Sequence, residues 1–377
     1  MVRGPRWWIW GAEETLDNRT GSRPMPHAAR LRRKRSAPAA RDIVASRRDV
    51  APRRRGRDVA PRGETPAEGI EPTVTLNDGR RMPTSIIGTF VGDDEAHTSP
   101  ESCRQLVRDA LAAGFRHFDT ATVYGNEEEL GRALRDAPDV FVTTKVAHPN
   151  NDRGEWWTLA PWVSDASLDA TEGVLQAVRD ARARLDRPVS LVLLHWPGPF
   201  GNRDAVLGEQ KRWDMWRGLM AARREGLCDS IGVASFTQTH LEQLIARAPE
   251  VLPAVNQAEV HPRNANVDLV EFCQQKGIVV CAWSPLGLGA KMNLFEDPTL
   301  LAIAQRHGVS PAAVALRWLA QRNIIPLPRT VRPSRMRENL DVVLTPKFRL
   351  SDDEMADIYA MDEGRTVFPG ARPDDIA

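Results

Sequence analysis

From residue 73 onward, short apolar runs alternate with longer stretches in which apolar residues return every three to four positions. The short runs read as eight strands: Ile86–Phe90, Phe115–Phe118, Val140–Thr144, Leu191–Leu194, Ser230–Val233, Leu252–Asn256, Ile278–Trp283 and Ile324–Leu327. Ahead of them, Thr73–Leu76 and Arg80–Met82 flank Asn77-Asp78-Gly79, whose Asp-Gly step signals a hairpin. Between the first two strands Cys103, Leu106, Val107, Ala110 and Leu111 fall at i, i+3, i+4, i+7 and i+8, one face of a helix. Leu168, Val174, Leu175, Val178 and Leu185 form a similar stripe on a helix predicted at about 166–185. Both stripes are expected to face the core. Eight strand–helix units over roughly 300 residues predict a (β/α)8 TIM barrel with insertions, where about 250 residues is usual. A doubly wound sheet is the alternative, but no Gly-x-Gly-x-x-Gly follows an early strand.

Residues 1–70 lack this periodicity. They are rich in Arg, Pro, Ala and Gly, cannot bury enough surface to offset the entropy of ordering, and are expected to be a disordered arm ahead of a domain at 71–377. Within the arm, Arg48-Asp-Val-Ala-Pro-Arg53 returns nine residues later as Arg57-Asp-Val-Ala-Pro-Arg62. Charge divides at the same place. Residues 1–67 hold 17 of the 51 Lys+Arg and 7 of the 50 Asp+Glu, a balance of +10. The remainder holds 34 basic and 43 acidic residues, a balance of −9, so the net +1 is the sum of a basic arm and a mildly acidic globule. The arm reads either as a tether for nucleic acid or an acidic partner, densest at Arg32, Arg33, Lys34 and Arg35, or as a transit segment or upstream translated sequence. The second reading carries more weight, because an Arg-rich composition has little specificity. Nucleic-acid contact is thus expected, if at all, only through 1–67.

No apolar run approaches the ~18 residues of a membrane span, and the N-terminus has three tryptophans but no apolar stretch of the secretory kind. Cys103, Cys228, Cys273 and Cys281 lie scattered in apolar periodic segments, as buried thiols of a reducing compartment do. A monomeric cytoplasmic protein without membrane partner or metal is expected, with organelle targeting by the arm left open.

Polar residues concentrate at the C-terminal strand ends, where barrel chemistry sits. Asp119 follows the second strand and Tyr124 lies five residues on; Lys145 ends the third and His195 the fourth. Taken singly, His195 beside Trp196 reads as a core histidine, Asp119 as a helix cap, Lys145 as a solvated end, and Tyr124 as nothing in particular. Together they can act on a proton. An ammonium near a phenol favours the phenolate, a carboxylate holds that ammonium charged and aimed, and an imidazole can orient a substrate oxygen. Such a set serves an oxygen that gains negative charge, as in carbonyl reduction. It also draws on scarce residues, since the chain has 6 Lys against 45 Arg and 2 Tyr against 11 Trp.

The region from Thr73 to Gly370 resembles the aldo-keto reductase superfamily, in particular its 2,5-diketo-gluconate reductase-like branch. The likeness rests on Leu76-Asn-Asp-Gly79, Gly88-Thr-Phe90, Phe118-Asp-Thr-Ala-Thr-Val-Tyr-Gly-Asn-Glu127 through Gly131, Asn256-Gln-Ala-Glu-Val-His-Pro262 and Ala282-Trp-Ser-Pro-Leu-Gly287. It implies a hairpin at the barrel bottom, a carbonyl substrate and NADPH as cofactor. By the same resemblance Tyr124 is the general acid, Lys145 and Asp119 lower its pKa, and His195 orients the carbonyl. Pro328-Arg-Thr-Val-Arg-Pro-Ser-Arg-Met-Arg-Glu-Asn339 matches the family segment that grips the adenosine 2′-phosphate, with Arg329 where Lys is common and Thr330 where Ser is. Arg335 and Asn339 fall on phosphate and adenine contacts, and Val331 and Glu338 belong to the same segment. Two guanidinium groups suit a phosphate dianion, which favours NADPH over NADH.

At the other end of the cofactor, Trp283 matches the aromatic that stacks on the nicotinamide and Gln257 the residue that binds its carboxamide. Thr89, Ser235, Ser284 and Leu286 complete the implied cofactor set, with Phe90, Trp157 and Trp196 at the substrate. Gly232-Val-Ala-Ser-Phe236 departs from the usual Gly-Val-Ser-Asn-Phe, so Ala234 and Ser235 are expected to hold the nicotinamide more loosely. A second departure is the long 147–165 connection with Trp156, Trp157 and Trp162, read as a lid or as tryptophans packed outside the barrel. The leading expectation is NADPH-dependent reduction of an aldehyde or ketone to an alcohol; the alternative is a non-catalytic NADPH-binding regulatory or redox-sensing subunit.

Overall fold

The computed structural model describes residues 72–90, 99–147, 170–198, 205–344, 347–368 and 373–376. The arm 1–70, Leu168, and the 147–165 loop beyond Ala147, Trp157 included, lie outside these residues.

The Asp-Gly step turns a hairpin of β1 (Thr73–Thr75) and β2 (Arg81–Pro83), with Val74 opposite Met82. Gly79 there takes φ 84°, a left-handed conformation that costs a residue with a Cβ. Eight parallel strands follow: β3 (Ile86–Gly88), β4 (His117–Asp119), β5 (Phe141–Val146), β6 (Val189–Leu194), β7 (Cys228–Ala234), β8 (Val255–Glu259), β9 (Val279–Trp283) and β10 (Ile325–Pro326). They pair in chain order, and the Gly88 N–H donates to the Pro328 carbonyl at 3.1 Å, bringing the first strand to the last. The expected (β/α)8 barrel is therefore present.

Around it pack α1 (Pro100–Ala113), α2 (Glu127–Ala133), α3 (Ala170–Leu185), α4 (Ala205–Arg224), α5 (Gln238–Arg247), α6 (Val267–Gln275), α7 (Pro298–His307), α8 (Pro311–Gln321), α9 (Pro333–Leu344) and α10 (Asp352–Tyr359). Three of them open on the same device. Ser99, Asp297 and Ser310 each accept a backbone N–H of the first turn while a proline follows. The predicted stripe on α1 is buried at Cys103, Leu106, Val107 and Ala110, and that on α3 at Val174, Leu175, Val178 and Leu185.

Strand residues divide with period two. Leu191 and Leu193 of β6 join the lumen cluster, which Leu76 and Met82 of the hairpin region complete; Val192 and Leu194 join the cluster beneath the helices. Asn77 Nδ2 donates to the Pro253 carbonyl at 2.8 Å, fastening the hairpin to the chain entering β8. The four cysteines are buried free thiols, and burial pushes Cys103 and Cys273 up to about 11. Among the described residues no helix is long and apolar enough to cross a membrane.

Strand limits moved where polar side chains face the lumen. β4 runs through Asp119 and β5 through Lys145 to Val146, because partners inside the barrel satisfy these groups; His117 Nε2, for one, lies 2.7 Å from Thr143 Oγ1. β8 begins three residues later than Leu252, after Pro253, which has no N–H for the ladder.

Candidate active site

Asp119 stands opposite Thr143 in the β4–β5 register, which sets Lys145 two residues further along the same face. Lys145 Nζ lies 2.5 Å from Asp119 Oδ1 and donates to the Thr120 carbonyl at 2.9 Å. The two side chains are only 1% and 3% exposed. From across the lumen, Gln257 Nε2 donates to Asp119 Oδ2 at 2.7 Å. Both carboxylate oxygens are thus engaged. Burial pushes the Asp119 carboxyl up, with Lys145 and Gln257 pulling against it. For Lys145 burial works the other way, yet Asp119 and Tyr124 hold the ammonium above its ordinary range.

Tyr124 ends a one-turn 3₁₀ helix, Thr122–Tyr124, closed by Gly125 at φ 67°. Its ring centroid is 5.1 Å from Lys145 Nζ, 5.0 Å from the Phe90 ring and 5.9 Å, edge-on, from His195. Burial raises its pKa, Lys145 pulls it down and Asp119 pushes it up, with a net upward shift. The expectation that Asp119 helps lower it needs correction. A carboxylate charge opposes a nearby phenolate, so Asp119 favours proton release only by holding Lys145 charged. His195 follows β6, its N–H bonded to the Val146 carbonyl at 2.9 Å and its ring stacked 5.7 Å from Trp196. Burial, then Lys145, hold it well below the ordinary histidine range, so the imidazole is neutral. A neutral phenol, a charged ammonium and a neutral imidazole meet on one rim. That set can donate a proton to an oxygen gaining charge and orient it.

The residues placed at the cofactor by resemblance divide into two groups. Thr89 and Gln257 are tied inward to Asp119, since Thr89 Oγ1 donates to the Asp119 carbonyl at 3.0 Å. Ser235 and Ser284, just past β7 and β9, take φ 59° and 48°, left-handed conformations that non-glycine residues adopt at a cost and that gather at functional sites. Trp283 is half-buried, and Leu286 packs on Ala313, Leu316 and Val342.

The segment before and within α9 looks outward. Arg329, Val331, Arg332 and Arg335 are exposed, while Arg329 also reaches over the Phe90 ring at 5.6 Å. Thr330 Oγ1 accepts the Arg332 N–H at 3.1 Å, Asn339 is buried, and Glu338 accepts from the Ser310 hydroxyl. The first turn of α9 holds no acidic residue. Guanidinium groups at the positive end of a helix have the chemistry that fits an anionic phosphate.

Four residues were given no role by the sequence. Asn126 braces the Tyr124 turn, accepting from Thr120 Oγ1 at 2.6 Å and donating to the Thr89 carbonyl at 3.1 Å. Glu127 is buried against Arg184 and Thr144. The Phe368 ring lies 6.2 Å from that of Trp283, and Lys291 Nζ sits 4.6 Å from the Phe368 ring centroid. Periodicity cannot signal any of these, because each acts through a residue remote in sequence.

Known proteins are similar to this chain over most of its length. The model of the Aldo/keto reductase family matches residues 86–363. An aldo-keto reductase of Mycobacterium sp. (strain KMS) is 36% identical over 302 residues, 79% of this chain and 96% of the relative. A glyoxal reductase of Bacillus subtilis (strain 168) is 33% identical over 311 residues, 81% and 98% of the two chains. The crystal structure of a Bombyx mori aldo-keto reductase in complex with NADP superposes with a TM-score of 0.65 at 32% identity, over 79% of this chain and 94% of that one. A family match over residues 86–363, with relatives more than 30% identical across almost their whole length, leaves one assignment: the chain belongs to the aldo/keto reductase family.

Proposed function

We propose that this protein reduces an aldehyde or ketone to an alcohol with NADPH, and that Tyr124 gives the proton. NADPH, when bound, supplies the hydride to the carbonyl carbon. Tyr124 donates its phenolic proton to the carbonyl oxygen, and its raised pKa keeps that proton in place at neutral pH. Lys145, held charged by Asp119, stabilises the phenolate left behind. His195, neutral, can donate one hydrogen bond to the same oxygen without competing as an acid. Arg329, Thr330, Arg332 and Arg335 would hold the 2′-phosphate, with Asn339 beside the adenine. Trp283, Ser235 and Ser284 would hold the nicotinamide end, and Phe90 and Trp196 would line the substrate side.

The observation that carries the reading is the buried Asp119–Lys145 pair set directly against the Tyr124 ring. NADP in the Bombyx mori relative and the name of the glyoxal reductase support the cofactor and the carbonyl class. The test is NADPH oxidation with a panel of aldehydes, ketones, quinones and keto sugars. Tyr124→Phe should lower kcat by about 10²–10⁴-fold with NADPH binding retained. NADPH binding without turnover of any carbonyl would favour the regulatory-subunit alternative.

A further inference from the structure

Glu127 is 1% exposed and serves no step above. It is the first residue of α2 and lies three positions after Tyr124. Its Oε1 accepts from the Thr144 hydroxyl at 2.5 Å and its Oε2 from Arg184 Nε at 2.8 Å, and Oε2 also forms an ion pair with Arg184 Nη2 at 2.7 Å. Thr144 immediately precedes Lys145 on β5, and successive strand residues face opposite sides. Lys145 therefore enters the lumen while Thr144 looks out beneath α2 and α3.

A second observation shows that this junction is built closely. A Cβ on Gly131, one turn past Glu127, would sit 2.1 Å from the Leu185 carbonyl oxygen, next to Arg184. Only glycine lets α2 approach α3 so nearly, and that approach brings the carboxylate within reach of the guanidinium. The neighbouring acids pair elsewhere. Glu128 pairs with Arg132, and Glu129 with Arg132 and, at 3.7 Å, Arg104. Asn126 secures the other side of the turn to Thr89 and Thr120.

We propose that Glu127 is a positioning residue for the reduction: through Thr144 and Arg184 it fixes the turn bearing Tyr124 against the strand bearing Lys145. The inference rests on the carbonyl-reduction reading, but it can be tested apart from it. The chain has two tyrosines, Tyr124 and Tyr359, so Tyr359→Phe leaves Tyr124 as the sole ring to follow by NMR titration of labelled tyrosine.

Thr144→Val removes the link to β5 without stranding a charge. It should lower kcat about tenfold with the NADPH KM within about twofold of wild type, since small misplacements act on turnover. It should also move the Tyr124 titration to higher pH, as Lys145 no longer sits in place to favour the phenolate. Glu127→Gln should shift both readouts in the same direction, and Thr144→Ser should restore them. Wild-type kcat and wild-type titration in both variants would overturn the inference. A loss of kcat with an unmoved Tyr124 titration would also overturn it, by leaving Glu127 a merely structural ion pair. A wild type inactive on every carbonyl would sink the carbonyl-reduction reading alone, because the titration still reads the brace.

Discussion

Helices α2 and α9 both begin beside the rim, and they begin with opposite charge. The first turn of α2 carries Glu127, Glu128 and Glu129, and each carboxylate meets a group of the chain itself. The positive end of that helix is neutralised from within. The first turn of α9 carries no acid, while Arg332 and Arg335 stand exposed there with Arg329 just upstream. A cation at a helix N-terminus is unfavourable by about 0.3–1 kcal/mol, and clustering cations there compounds it. The two starts divide the labour of the site. Around α2 the fold completes its own electrostatics, as the proposed proton transfer requires; around α9 it leaves an excess of positive charge, as the proposed phosphate contact requires.

Breaking the preset half should have the largest effect. Lys145→Met leaves the buried Asp119 facing Gln257 alone, and removing one member of a buried pair costs about 3–5 kcal/mol. The same variant should lose at least about 10²-fold in kcat. Denaturant midpoints and single-turnover rates check the two losses, and a wild-type midpoint would show that the pair is not what completes this half.

The pH profile sharpens the same point. His195 stays neutral through the range near 6.5 where a free histidine titrates. Tyr124, with its pKa raised, keeps the reactive proton to alkaline pH. The kcat of the wild type should therefore be level across neutral pH and fall only on the alkaline side. An inflection near the ordinary histidine value that disappears in His195→Gln would contradict the neutral imidazole.

Arg335→Ala tests the open half, and its signature should be inverted. Losing a charge-assisted hydrogen bond of about 1.5–3 kcal/mol should raise the NADPH KM roughly 10–100-fold and leave the NADH KM unchanged. Stability should hold or rise by a few tenths of a kcal/mol, because a cation leaves the positive end of α9. Steady-state kinetics with both nucleotides and a thermal melt decide it. Equal effects on NADPH and NADH would remove Arg335 from the 2′-phosphate.

Much of this contrast was legible in the sequence, for identifiable reasons. Asp119, Lys145 and His195 each close an apolar run, so chain order alone sets them at neighbouring strand ends. The cations of α9 sit within seven residues of one another. Glu127 lies in the quoted signature, yet its role was illegible, because nothing in three consecutive glutamates marks which one turns inward. Its partner Arg184 is 57 residues away, and only the close approach at Gly131 joins them. Gln257 likewise reaches Asp119 over 138 residues of sequence, a pairing that barrel closure creates. The hidden residues are those that act through another element.

The smallest effect is expected where the two halves meet, at the nicotinamide end. Ser235 is 5% exposed, takes φ 59° and donates its N–H to the Gln257 carbonyl at 2.8 Å, so its backbone is fixed by the barrel rather than by preference. Asn tolerates that conformation better than Ser and reaches further with its amide. Ser235→Asn should therefore raise stability slightly and tighten NADPH binding. Ala234→Ser adds a hydroxyl within the lumen cluster that includes Leu193 and Val255, where it needs a ligand to bond. Alone it should lower the stability of the free protein; with Ser235→Asn it should add one hydrogen bond of about 0.5–1.5 kcal/mol to the bound state. Fluorescence titration with NADPH, beside melts of the single and double variants, separates the two contributions. An unchanged or weaker affinity in the double variant would mean that this rim is already complete without a ligand, as the start of α2 is.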